Sequence, residues 1–141
     1  MEFQLAPDFA KDCVVIGNLN LCTLLLVDNS QYPWVLLVPR RAGITESYQL
    51  EKDDQISLIM ESNLIAKILK AEFQADKLNI AAIGNVVPQL HVHHVARFKS
   101  DPLWPSPVWG AGERIPYAPE KRQEIIELFQ EKLKRYLKPA T

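Results

Sequence analysis

Hydrophobic and polar positions along this chain follow two different periods, and the change of period divides it into elements. Four short apolar runs, Cys13–Ile16, Cys22–Val27, Trp34–Val38 and Leu78–Ile83, have the length and composition of strands, and Leu90–Phe98 makes a fifth. Gly17-Asn18 and Asp28-Asn29-Ser30 supply turn chemistry between the first three, which predicts an antiparallel meander. From about Glu51 to Phe73 the period lengthens. Ile56, Ile59, Met60, Leu64, Ile65, Ile68, Leu69 and Phe73 recur at helical spacing, with Glu61, Ser62, Lys67 and Lys70 expected on the more exposed side. Asp53 and Asp54 suit the positive end of that helix. Pro39 and Gly43 mark an irregular passage before it, and Gly84-Asn85 and Pro88 punctuate the approach to the last strand.

Asp101–Pro119 holds five prolines and two glycines, so it is expected to be a loop with stiff pieces. A second helix is predicted from Pro119 or Glu120 to Leu137, with Ile125, Ile126, Phe129, Leu133, Tyr136 and Leu137 on its apolar side. Lys132, Lys134, Arg135 and Lys138 suit its negative end. The pattern therefore predicts an α+β fold: an antiparallel sheet, one long helix across it and a C-terminal helix. No internal repeat or low-complexity tract breaks the chain, so 1–141 reads as one domain. Its core lies at about 10–100, its Trp- and Pro-rich loop at 101–118 and its last helix at about 119–137.

Composition narrows the function classes. A length of 141 residues, 48% hydrophobic and 23% charged, is that of one ordinary globular domain. A net charge of −1 offers no broad nucleic-acid surface, so any anion must be held by local groups. Cys13 and Cys22 sit in apolar, strand-like runs with no secretory pattern upstream, and are expected to be buried, reduced thiols. The N-terminus has no apolar leader, and no apolar run is long enough to span a bilayer. The expectation is a cytoplasmic protein with no membrane and no nucleic-acid partner.

The chemistry is concentrated in one place. All three histidines fall within His91-Val92-His93-His94. Strand alternation puts Gln89, His91 and His93 on one face and Leu90, Val92 and His94 on the other. A polar row of Gln, His and His is poor packing material and reads as a site. One chemistry is metal chelation by alternate strand residues, but Arg97 and Lys99 stand where a further carboxylate ligand would be wanted. A second His-x-Thr/Ser motif, needed by two-histidine phosphoesterases, is absent. Nucleophilic catalysis fits better: a neutral imidazole can attack phosphorus while nearby donors neutralise the phosphoryl oxygens. His93, Asn85, the backbone at Gly84 and Arg97 are candidate donors, with Arg40 and Arg41 further candidates.

The segment from Gly84 through Gln89-Leu90-His91-Val92-His93-His94-Val95 to Arg97 resembles the signature of the histidine triad superfamily, His-φ-His-φ-His-φ-φ with φ apolar. Val27-Asp28 and Trp34-Val35-Leu36-Leu37-Val38-Pro39-Arg40 resemble that family's β-hairpin, so the likeness spans about residues 10–100. The resemblance implies a hydrolase or nucleotidyl transferase that cleaves a phosphoanhydride or phosphoramidate at the α-phosphate through a nucleotidyl-histidine intermediate. Its substrates would be dinucleoside polyphosphates or nucleoside phosphoramidates, and the protein would be a homodimer. No cofactor is obligatory, although a divalent cation can accompany polyphosphate substrates. By position, His91 is the nucleophile, His93 the phosphate-contacting histidine, Asp28 the ribose ligand, Asn85 a phosphate-loop residue and Arg97 a basic position after the triad.

Two departures stand out. Gln89 replaces the first histidine, and as an amide that both donates and accepts it would position the nucleophile. His94 fills an apolar slot and is expected under a helix or at a dimer contact, unless a bulge exchanges it with His93. Trp104 and Trp109 either cap a nucleobase or pack the loop, and Trp34 is either core or pocket wall. The alternatives to an enzyme are a nucleotide-binding protein of this fold with little catalysis, or a metal-binding histidine module.

Overall fold

The computed structural model describes residues 2–139. It contains five strands: β1 (Cys13–Asn18), β2 (Cys22–Val27), β3 (Trp34–Pro39), β4 (Lys77–Ala82) and β5 (Val92–Arg97). Helix α1 covers Lys52–Phe73 and α2 covers Pro119–Lys132, with short 3-10 turns at Pro7–Lys11 and Ser47–Gln49. The strands form one sheet in the order β1-β2-β3-β5-β4, every neighbouring pair antiparallel. The expected α+β architecture and meander are present. The last strand is shorter than the apolar pattern suggested, beginning at Val92, and α2 ends at Lys132, after which Leu133 and Leu137 still pack on the core through a turn.

The two faces of the sheet are covered differently. One carries the main core, in which Leu24, Leu26, Val35, Leu37 and Ala96 meet Ile65 and Leu69 of α1, Phe129 within α2 and Leu133 just beyond it. Among the described residues, the other has no helix longer than a 3-10 turn. There Leu25, Val27, Leu36 and Val38 are covered by Phe3, Leu5 and Phe9 of the N-terminal arm, and Val95 is covered by Val108 and Trp109 of the long loop. A sheet face roofed by two irregular segments leaves room between them.

Helix α1 corrects the sequence reading. Glu61 and Ser62, expected on the exposed side, are buried, whereas Ile56, Ile59 and Met60 face outward. The inward turn has a physical cause. The Glu61 carboxylate accepts hydrogen bonds from the Leu21 and Cys22 N–H groups at 2.8 and 3.0 Å, satisfying two buried backbone donors at the start of β2. Ser62 bonds His94. Both cysteines are free thiols, as expected; Cys22 is buried and Cys13 half-buried. Burial pushes the Cys13 thiol up to about 12. No helix among the described residues is long and apolar enough to cross a membrane.

Candidate active site

Alternation along β5 separates the three imidazoles. His94 lies opposite Val35 and Ile80, fully buried under α1 with its Nε2 2.7 Å from the Ser62 hydroxyl and its Nδ1 3.1 Å from the Val92 carbonyl. Burial pushes its pKa down to about 4. His93 lies opposite Leu36 on the other face, where with His91 it lines a cavity of about 590 Å³. His91 stands just before the strand, its ring 5.0 Å from that of His93.

Hydrogen bonding fixes which nitrogen of each ring carries the proton. His91 Nδ1 is 2.7 Å from the Gln89 carbonyl, which can only accept, so Nδ1 is the protonated donor and the lone pair of the neutral tautomer falls on Nε2. His93 Nδ1 is 3.0 Å from Trp34 Nε1, and an indole N–H can only donate. His93 therefore accepts at Nδ1 and carries its proton at Nε2. Burial first, then the nearby His91 and His94 rings, push its pKa down to about 3, so the ring is neutral at any physiological pH. A ring whose Nδ1 is engaged as a donor, leaving its Nε2 unengaged, thus stands beside a neutral ring that donates from Nε2. That pairing suits attack on phosphorus by one ring and hydrogen bonding to a phosphoryl oxygen by the other.

The cavity is mostly apolar, walled by Phe9, Val27, Trp34, Leu36, Val108 and Trp109, with Asn29 and Gln31 adding polar atoms. Trp109 packs edge to face against both Trp34 and His93, whose rings are tilted against each other. Such a slot accepts a flat ring. A second cavity of about 370 Å³ reaches His91 from another side, lined by Thr45, Glu46, Gly84 and Asn85. Asn85 is therefore brought to the site, at the His91 end.

Other residues singled out in the sequence are placed elsewhere. Arg97 is 1% exposed; its Nε and Nη2 donate to Asp101 at 2.8 and 3.0 Å and its Nη1 to Asn79 at 2.8 Å. Its guanidinium lies between the Tyr32 and Trp104 rings and lines neither cavity. Burial alone would raise the Asp101 carboxyl, yet its bonds from Arg97 and the Phe98 and Leu103 amides hold it below the usual carboxylate range. The Asp28 carboxylate accepts from the Tyr117 N–H and pairs with Arg122 at 3.2 Å, while its neighbour Asn29 lines the cavity. Arg40 donates to the Leu19 and Asn20 carbonyls and Arg41 pairs with Asp54, so neither meets the histidines. The Gln89 side chain bonds Gln4 and Ala6 of the N-terminal arm, and only its backbone carbonyl touches His91. Among the described residues, no three or more His, Cys, Asp or Glu side chains are grouped to hold a metal ion.

A family model described as the HIT domain matches residues 9–100, spanning the hairpin, α1 and the histidine strand. The chain belongs to the HIT domain family. HIT proteins of known structure superpose over nearly its whole length. A histidine triad protein from Marinobacter aquaeolei is 40% identical, with a TM-score of 0.93 over 96% of this chain and 99% of its own. One from Sinorhizobium meliloti is 43% identical (TM-score 0.90, 93% and 97% covered), and one from Bradyrhizobium japonicum is 39% identical (0.91, 94% and 98%). A histidine triad nucleotide-binding protein from Sulfolobus tokodaii shares the fold at 17% identity, with a TM-score of 0.65 over 88% of this chain and 85% of its own. No curated protein matches the sequence.

Within this HIT domain, sequence reasoning missed Phe9, Asn29 and Gln31 as site residues. Phe9 sits in an arm outside any periodic element, so no pattern marked it. Asn29 adjoins Asp28, and only the turn geometry decides which of the two faces the cavity.

Proposed function

We propose that this HIT protein is a nucleotide hydrolase or nucleotidyl transferase working at an α-phosphate. The observation that carries the reading is the opposed protonation of the paired rings, with His91 Nε2 free to attack and His93 Nε2–H free to donate. His91 Nε2 forms a bond to the α-phosphorus as the bond to the leaving group breaks, and the leaving group takes a proton from solvent. Water then cleaves the phosphorus–nitrogen bond and releases the nucleoside monophosphate. His93 and Asn85 stabilise the phosphoryl oxygens, the apolar cavity receives the base, and Asn29 and Gln31 receive the sugar. Asp28 and Arg97 act from behind, by holding the turn and the loop that shape the cavity. Free Cys13 and Cys22 suit a reducing, cytoplasmic setting.

Charge distinguishes between substrate classes. The main cavity sets Asp8, Asp12 and Glu113 against Lys11 and Arg114, and the second cavity has Glu46 with no lysine or arginine. A polyphosphate tail would meet few fixed cations there, whereas a single phosphoryl group with an amine leaving group brings less negative charge to be neutralised. Phosphoramidates are therefore the favoured substrates. Incubation with adenosine phosphoramidate and diadenosine tetraphosphate should show faster turnover of the first, and His91→Ala should lower turnover of both by on the order of 10³-fold or more. Unchanged turnover in His91→Ala refutes the nucleophile. Tight nucleotide binding with no turnover of either compound would make the protein a binding module instead.

A further inference from the structure

We infer that residues 3–11 form a wall of this catalytic site and that Gln89 is the positioning residue that clasps them in place. The Gln89 side chain makes two bonds to the arm: Oε1 accepts from the Ala6 N–H at 2.9 Å, and Nε2 donates to the Gln4 carbonyl at 2.9 Å. One amide thus bridges the backbone on both sides of Leu5, as a peptide of a neighbouring strand would. Partner chemistry fixes the orientation, because an N–H cannot face Nε2 nor a carbonyl face Oε1. An imidazole cannot replace this clasp, since its two nitrogens point away from each other across the ring.

The clasp precedes the 3-10 turn Pro7–Lys11, whose Phe9 is 4% exposed and packs edge-on against His91 at 5.0 Å. Asp8, Phe9, Lys11 and Asp12 all line the main cavity. At its far end the arm is pinned again, where the Asp28 N–H donates to the Asp12 carbonyl at 2.8 Å. Two fixed ends hold the short turn against the nucleophile. Gln in the first triad position is then an exchange of roles: the side chain holds the wall, and the backbone carbonyl alone orients His91.

Amide hydrogen exchange on the full chain tests the clasp without any substrate. In Gln89→Ala, the Ala6, Phe9 and Asp12 amides should exchange at least tenfold faster, with the α1 amides unchanged, and Gln89→His should not restore protection. Arm amides protected as in the parent would overturn the inference. Its consequence for turnover rests on the nucleotidyl-transfer reading and is tested separately with adenosine phosphoramidate. Gln89→Ala and Phe9→Ala should each lower kcat/KM, and the double variant should be no slower than the slower single variant, since both remove one wall. Losses that multiply would refute that coupling. A parent with no turnover would sink the enzymatic reading while leaving the exchange result to decide the clasp.

Discussion

At the scale of the residue, three neighbouring imidazoles sit in three different settings, because each ring has different hydrogen-bonding partners. The separation of His93 from His94 was legible in the sequence from strand alternation, whereas Gln89 and His91 precede the strand and the Gln89 side chain turns to the N-terminal arm, not into the main cavity. The positions of the ring protons were not legible, because they depend on a carbonyl two residues back and an indole brought from β3 by the β3–β5 register. Both buried rings, His93 and His94, have pKa values pushed well below 6.5, to about 3 and about 4. The unfolded chain takes up these two protons near pH 6.5 and the folded chain does not. Stability from this source is therefore fully present above pH 6.5 and is lost as pH falls toward 4, by up to about 1.4 kcal/mol per pH unit for each ring. Urea unfolding between pH 7 and 4.5 should show the decline. His94→Gln, less stable throughout, should show a shallower slope by one ring's share. Parallel slopes for parent and variant would mean that His94 is already charged in the fold.

At the scale of the element, strand and helix positions were readable from period, and so was the inward face of the second half of α1 with Ile65, Ile68 and Leu69, while the facing of its first half was not. Counting apolar residues put Ile56, Ile59 and Met60 inward, but the unpaired N–H groups of Leu21 and Cys22 and the ring of His94 required polar partners on that side. Satisfying buried donors outweighs burying a few more methylenes, since each orphaned group costs about 1–3 kcal/mol. The same logic moves Arg97 from the phosphate to the scaffold. Its bonds tie β5 to Asn79 of β4 and to Asp101 at the start of the Trp-bearing loop, and both members of the ion pair are almost fully buried. Asp101→Asn should cost about 3–5 kcal/mol in urea unfolding, as breakage of a buried pair does. Arg97→Lys, which keeps the charge but loses the forked geometry, should cost a similar or somewhat smaller amount. Wild-type stability in Arg97→Lys together with a hundredfold loss of turnover would return Arg97 to the substrate.

At the scale of the whole molecule, the outward turn of α1 has a consequence for assembly. Ile56, Ile59 and Met60 are 51%, 56% and 64% exposed, and Ile80 of the edge strand β4 is 46% exposed. β4 ends the sheet beside β5, with its other edge unpaired among the described residues. An open strand edge near an apolar helix face is a combination that proteins ordinarily cover, because each alone invites non-specific association. A net charge of only −1 gives little repulsion to keep copies apart. A second copy of the chain, laying α1 and β4 against their counterparts about a two-fold axis, would cover both at once, as isologous interfaces do. Light scattering at about 50 µM should therefore report a dimer, and Met60→Asp should weaken it by about a hundredfold or more, or ~3 kcal/mol. Glu124→Lys, on the exposed side of α2 and away from α1 and β4, should leave it intact. A parent chain that is monomeric under these conditions would show that α1 carries its isoleucines outward with no partner copy to receive them.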